Sequence, residues 1–82
     1  MNAFEHIHTT LETLAGGAGY TLETPADIRH GDYATNIALV LAKERRVAPN
    51  ALAEEFVRDL QVSLSSYVEK IVVAGPGFIN FF

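Results

Sequence analysis

Across residues 2 to about 15 the apolar side chains Phe4, Ile7, Leu11 and Leu14 recur at intervals of three and four, which lines one side of a helix. Gly16, Gly17 and Gly19 end it. Residues 20–23 alternate briefly, as a short strand does, and Pro25 opens an irregular segment that runs to Gly31. Asp32 is placed to cap a second helix by accepting the backbone N–H of Ala34 or Thr35, and the helix continues through IALVLAKE to about Arg45. Apolar residues nearly surround its middle turns, so it is expected to be the most buried helix. Pro49 suits the first turn of a third helix, with Glu54 and Glu55 near its positive end and Leu52, Ala53, Phe56, Val57 and Leu60 facing inward. After a polar stretch holding Ser63, Ser65 and Ser66, the β-branched run at 68–73 reads as a strand, and Gly75-Pro76-Gly77 turns it into a last one.

The expected order is therefore helix, strand, helix, helix, strand, strand. The last two strands, joined by a tight turn, should pair antiparallel. The fold class this implies is α+β, a two-layer domain with helices packed on one face of a small, mostly antiparallel sheet. The 82 residues make one domain, 1–82, near the lower end of what folds alone. With 49% hydrophobic and 20% charged residues the chain is globular rather than disordered. It has no cysteine, which removes disulfides and cysteine-based zinc or redox sites, leaves no metal site in view and makes an intracellular, cytoplasmic location the easier reading. Neither a signal peptide nor an apolar run long enough to span a bilayer is present, so no membrane partner is expected.

A formal charge of −4 excludes a domain that holds nucleic acid mainly by phosphate neutralisation. The cationic cluster Lys43, Arg45 and Arg46 falls at the end of the second helix, where it is expected to complement the helix dipole. Chemistry is more promising at the other end of the chain. In the last strand, Ile79 and Phe81 point one way while Phe78, Asn80 and Phe82 point the other, so one face carries an amide between two aromatic rings. Such a face is either a partly covered patch with a satisfied amide or a platform on which something flat is stacked and read.

His30-Gly31-Asp32-Tyr33-Ala34-Thr35-Asn36, followed by IALVLAK, and the closing segment VAGPGFINFF resemble the two hallmark segments of the N-terminal additional domain of arginyl-tRNA synthetases. Their order and separation match as well, with the Pro-led helix between them, so the resemblance covers nearly all of the chain. It implies a domain that docks on the outer corner of tRNA(Arg) and recognises a D-loop base, an adenosine in most bacterial cases. It also implies an arginine–tRNA ligase in which ATP, with magnesium, is used in the remainder of the synthetase chain. Catalysis is expected to lie elsewhere. The His-x-Gly-His and Lys-Met-Ser-Lys-Ser signatures of such enzymes are absent, and His6-Ile7-His8 sits within the first helix without the glycine. No catalytic residue and no cofactor are therefore expected in this domain.

In the family's motif an aromatic residue and, two positions on, an amide residue carry the base contact, and Phe78 and Asn80 stand in those places. Relatives with tyrosine at the aromatic position gain a hydroxyl that Phe78 lacks. Phe82 extends the same face, and Tyr33, Asn36 and His30 complete the candidate RNA-binding set, while Gly31 and Asp32 are read as turn and cap. The chain reaches Phe82 inside an apolar strand, which leads us to expect a piece of a longer protein. A reading of a different class is a protein-interaction module, in which Phe78, Phe81 and the unpaired edge of an exposed terminal strand add to a partner's sheet.

Overall fold

The computed structural model describes residues 2–82. Helix α1 (Ala3–Ala15) begins at a reciprocal cap: the Asn2 side chain accepts the Glu5 N–H at 2.9 Å and the Glu5 carboxylate accepts the Asn2 N–H at 3.2 Å. It ends at Gly16 in the left-handed conformation, φ 57°. Ile7 and Leu11 are fully buried and Leu14 half-buried, as the spacing requires. Phe4 stays at the margin, its ring edge-on to Tyr33 with centroids 5.4 Å apart.

The segment after α1 departs from expectation. Strand β1 is only Leu22–Glu23, because Tyr20 instead packs back on α1. The Tyr20 hydroxyl donates to Glu12 at 3.0 Å; partial burial first, and the neighbouring carboxylate second, push its pKa up to about 12. A 3₁₀ turn at Ile28–His30 follows, and then Tyr33–Thr35 forms a strand, β2, where the sequence predicted the first turn of a helix. Asp32 is therefore not a helix cap. Its N–H donates to the Phe81 carbonyl at 2.8 Å and opens the pairing of β2 with the last strand. Sheet pairing overrides the local signal here, since three residues are too few to show an alternating pattern. Helix α2 (Ile37–Arg45) starts five residues later than Asp32, its first N–H held by the Thr35 hydroxyl at 3.2 Å. Ile37, Ala38, Leu41 and Ala42 are buried, and Leu39 and Val40 half-buried, in keeping with an apolar belt around its middle.

Helix α3 (Pro49–Ser63) has proline in its first turn and buries Leu52, Ala53, Phe56 and Leu60. Strand β3 is Ile71–Ala74 and β4 is Phe78–Phe81, joined by the Gly75-Pro76-Gly77 turn. Val68 falls outside β3 because the chain makes a further turn after Leu64. The sheet runs β1-β2-β4-β3, every pair antiparallel. Three helices on one face of this sheet make the α+β two-layer domain. No helix among the described residues is long and apolar enough to cross a membrane.

Register divides the sheet into two faces. Thr35, Ile79 and Val73 stand in one cross-strand row, and Tyr33, Phe81 and Ile71 in another; these rows face the helices, with Ile79 and Phe81 fully buried among Ile7, Leu11, Ile37 and Leu60. The intervening rows, Ala34–Asn80–Val72 and Phe78–Ala74, face away from the helices. Because β4 is hydrogen-bonded on both sides, the last strand has no free edge, and Phe81 is sealed in the core. That removes the strand-addition surface on which the protein-interaction reading relied.

Gly31 fixes where β2 crosses β4. It is buried at φ 90°, and a Cβ there would lie 2.5 Å from the Phe81 carbonyl oxygen. Gly31→Ala thus adds a clash with the strand backbone to a strained conformation that alone costs roughly 1 to 3 kcal/mol. Gly16→Ala meets nothing within 4 Å and should lose only the roughly 1 to 2 kcal/mol of the left-handed conformation. Urea denaturation of the two variants should therefore find Gly31→Ala clearly the less stable; equal losses would mean that Gly31 is not packed against β4.

Candidate functional site

The open face of the sheet holds a cavity of about 280 Å³ lined by Pro25, His30, Ala34, Ala74, Gly75, Phe78 and Asn80. Its floor comes from β-strand register. Asn80 stands between Ala34 and Val72, and Phe78 opposite Ala74, so alanines flank the amide and the ring and leave room above them. Its side wall is the β1–β2 connection, which brings in Pro25 and His30.

Two turns hold these parts in place. Gly75 and Gly77 adopt φ 55° and 134°, and the turn they form is pressed against the start of α3: a Cβ on Gly77 would sit 2.8 Å from Pro49 Cβ. The Asn50 side-chain amide donates to the Gly75 carbonyl at 3.4 Å. Phe78, the first residue of β4, leaves this clamped turn 41% exposed. On the other side, Asp27 caps the 3₁₀ turn by accepting the Arg29 N–H at 2.9 Å and grips the Arg29 guanidinium at 2.6 Å. The guanidinium, and then that backbone N–H, hold the Asp27 carboxyl below the usual carboxylate range.

Asn80 is the unusual group. It is only 5% exposed, yet no hydrogen bond within the described residues occupies its side-chain amide, and neither amide atom is sealed off without a partner. The amide therefore keeps its donors and acceptor turned to the cavity. Both amide atoms stay open to the cavity, whereas the polar groups of a residue this covered are ordinarily paired within the protein. Beside an exposed ring, an amide of this kind presents one donor and one acceptor to a flat, edge-bearing ligand.

The candidate residues separate into two sets. Phe78, Asn80 and His30 come together around the cavity. Phe82 shares their face one row further along, outside the cavity lining, where the Lys70 ammonium stands 4.4 Å above its ring. Tyr33 faces the helices and packs against Phe4. Asn36 is engaged elsewhere, its amide oxygen accepting the Thr21 N–H at 2.7 Å. Lys43, Arg45 and Arg46 lie at the end of α2 in the helix layer, with Arg45 over the Phe56 ring at 5.7 Å. Pro25, Ala34, Ala74 and Gly75 belong to the cavity although nothing in their residue types marks them: strand register places the two alanines, and the β1–β2 connection and the β3–β4 turn bring in Pro25 and Gly75.

Against this geometry the comparisons with known proteins agree with one another. The family model for the arginyl tRNA synthetase N terminal domain matches residues 3–82. The chain is 47% identical over 76 residues to an arginine–tRNA ligase of Oceanobacillus iheyensis, covering 93% of this chain and 14% of that protein. Over 61 residues, 74% of the chain, it is 59% identical to the arginine–tRNA ligase of Legionella pneumophila and 51% identical to that of Bacillus subtilis. It spans 10% and 11% of those two proteins, so it corresponds to a small part of each relative.

An amide without a partner in the fold can be removed cheaply. Asn80→Ala should change the unfolding free energy by less than about 1 kcal/mol, whereas losing a structural hydrogen bond would cost roughly 1 to 3. Thr35→Ala supplies the contrast, since the buried Thr35 hydroxyl accepts the first N–H of α2 and leaving that buried donor unpaired costs roughly 1 to 3 kcal/mol. Denaturant titration of both variants checks the order; a loss at Asn80 equal to that at Thr35 would mean the amide supports the fold.

Proposed function

Because the chain belongs to the family of arginyl-tRNA synthetase N-terminal domains, we propose that it is the tRNA-reading part of an arginine–tRNA ligase. It docks on the outer corner of tRNA(Arg) and takes one unpaired D-loop base into the cavity on the open face of its sheet. The reading rests above all on one observation: a nearly buried amide, unpartnered within the fold, beside an exposed aromatic ring. Bases in RNA loops are recognised by stacking on aromatic rings and by hydrogen bonds to their exposed edges. Phe78 supplies the ring. Asn80 supplies a donor and an acceptor side by side, the pairing that adenine N6 and N7 accept. Pro25 and His30 close the cavity from the side, and a space of about 280 Å³ has room for one base.

Attachment of arginine belongs to the rest of the protein, where ATP and magnesium act and where the class signatures missing here must lie. The cell compartment is the cytoplasm, where such ligases meet tRNA. Binding by this domain alone is weak, because a formal charge of −4 supplies few phosphate contacts.

Two measurements test the reading. In the full-length enzyme, kcat/KM is compared on tRNAs differing only at the D-loop base. Asn80→Ala is expected to lose roughly 1 to 3 kcal/mol on the native base and most of the discrimination between bases. Phe78→Ala should lose roughly 1 to 3 kcal/mol with little dependence on the base, since stacking is sequence-tolerant. If the parent discriminates and Asn80→Ala discriminates equally, the amide is not the reader. The isolated domain, given arginine, ATP and tRNA, should form no arginyl-tRNA above a no-protein control.

A further inference from the structure

The RNA reading leaves open which way the sugar–phosphate chain leaves the cavity, and the charges around the open face are lopsided. The β1–β2 side carries the carboxylates of Glu23 and Asp32, while Asp27 and Arg29 neutralise each other. Glu23 pairs with Ala34 and so extends the row that contains Asn80. Asp32 continues the row that contains Phe82, since Tyr33 pairs with Phe81 and the Asp32 N–H donates to the Phe81 carbonyl. On the other side of Phe82 stands Lys70, whose carbonyl accepts the Phe82 N–H at 2.8 Å. The row thus reads carboxylate, ring, ammonium from β2 to β3.

Lys70 is placed to serve a ligand. It is exposed, its ammonium is held 4.4 Å over the Phe82 ring, and it makes no ion pair among the described residues, the neighbouring Glu69 included. Glu69 donates its backbone N–H to the Phe82 carbonyl at 2.9 Å, so two residues oppose Phe82 in a bulge that fixes the strand end carrying Lys70. A cation over a ring keeps its N–H donors free while losing part of its flexibility beforehand. Of the other basic side chains, Arg29 is paired, Arg45 lies on Phe56, Lys43 and Arg46 are at the end of α2, and Arg58, on α3, borders β3 beside Glu54 in a groove that reaches Val72 and not Phe82. Two residues along a strand and one strand across separate Lys70 from Asn80 by roughly 8 Å.

We propose that Lys70, steadied by Phe82, binds a phosphate flanking the nucleotide read by Asn80, so that the RNA chain crosses the open face over β3 and avoids the acidic β1–β2 rim. The proposal rests on the base-reading function above and adds a path and a second contact to it.

The test uses the full-length enzyme and tRNA(Arg), with the dissociation constant followed between about 50 and 200 mM salt. Lys70→Gln, which keeps the stem and removes the charge, should make the slope of log affinity against log salt shallower by roughly 0.7 to 0.9, the signature of one phosphate contact. It should leave the discrimination between D-loop bases as in the parent. Lys70→Arg should keep the parental slope, and Lys70→Met should repeat the effect of Lys70→Gln. Asn80→Ala is the separating arm, expected to lose discrimination with its salt slope unchanged. An unchanged slope in both Lys70→Gln and Lys70→Met, while Asn80→Ala loses discrimination, overturns the Lys70 contact and leaves the base reading standing. If Asn80→Ala keeps full discrimination, the base reading falls and this proposal with it, whatever the slope does.

Discussion

Everything in this domain depends on β4 being paired on both sides in one register. A strand sends alternate side chains to opposite faces, so the residues that seal the core and the residues that face the cavity are fixed by the same backbone hydrogen bonds. Ile79 and Phe81 fill the space under the helices, and Phe78 and Asn80 necessarily look outward. A slip of one residue would drive an amide into the core and expose two large apolar side chains, at a cost no small domain can meet. The core therefore supplies the precision of the site. The same argument explains the glycines that matter. Gly31 lets β2 approach the Phe81 carbonyl, and Gly77 lets the β3–β4 turn press on Pro49.

One residue of the open face is not tied into the fold. Every other group on the open face is apolar, small or solvated, whereas Asn80 is nearly covered and has no partner in the fold. A polar group in that state, unpaired within the fold and open to the cavity, keeps its donors and acceptor available. The exposed ring of Phe78 beside it gives a flat partner a surface to lie on, and the sheet beneath keeps both from moving apart.

Much of this is legible in the chain. Helical spacing marks α1 and α3 to within a residue or two, the proline and glycines mark the turns, and alternation alone puts Phe78 and Asn80 on one face of the last strand. What escapes has a physical cause in each case. Tyr33–Thr35 pairs with a strand more than forty residues away, and a three-residue segment carries no period, so its local signal reads as a helix start capped by Asp32. Tyr33 and Asn36 share a short motif with His30 and would go with it to the site, yet strand alternation turns Tyr33 inward and the Thr21 N–H claims Asn36. Ala34 and Ala74 are invisible because their role is to leave space, and space is a property of the register rather than of the residue.

The most direct test of the base-reading claim is a double-mutant cycle in the full-length enzyme that pairs Asn80→Ala with two tRNAs carrying, at the D-loop position, either adenosine or purine riboside, which lacks the N6 amino group. If the Asn80 amide meets that base, each change alone should lower kcat/KM, and together they should cost no more than the larger of the two, a coupling of roughly 1 kcal/mol or more. Strictly additive losses would contradict it, because the amide and the base edge would then be acting independently.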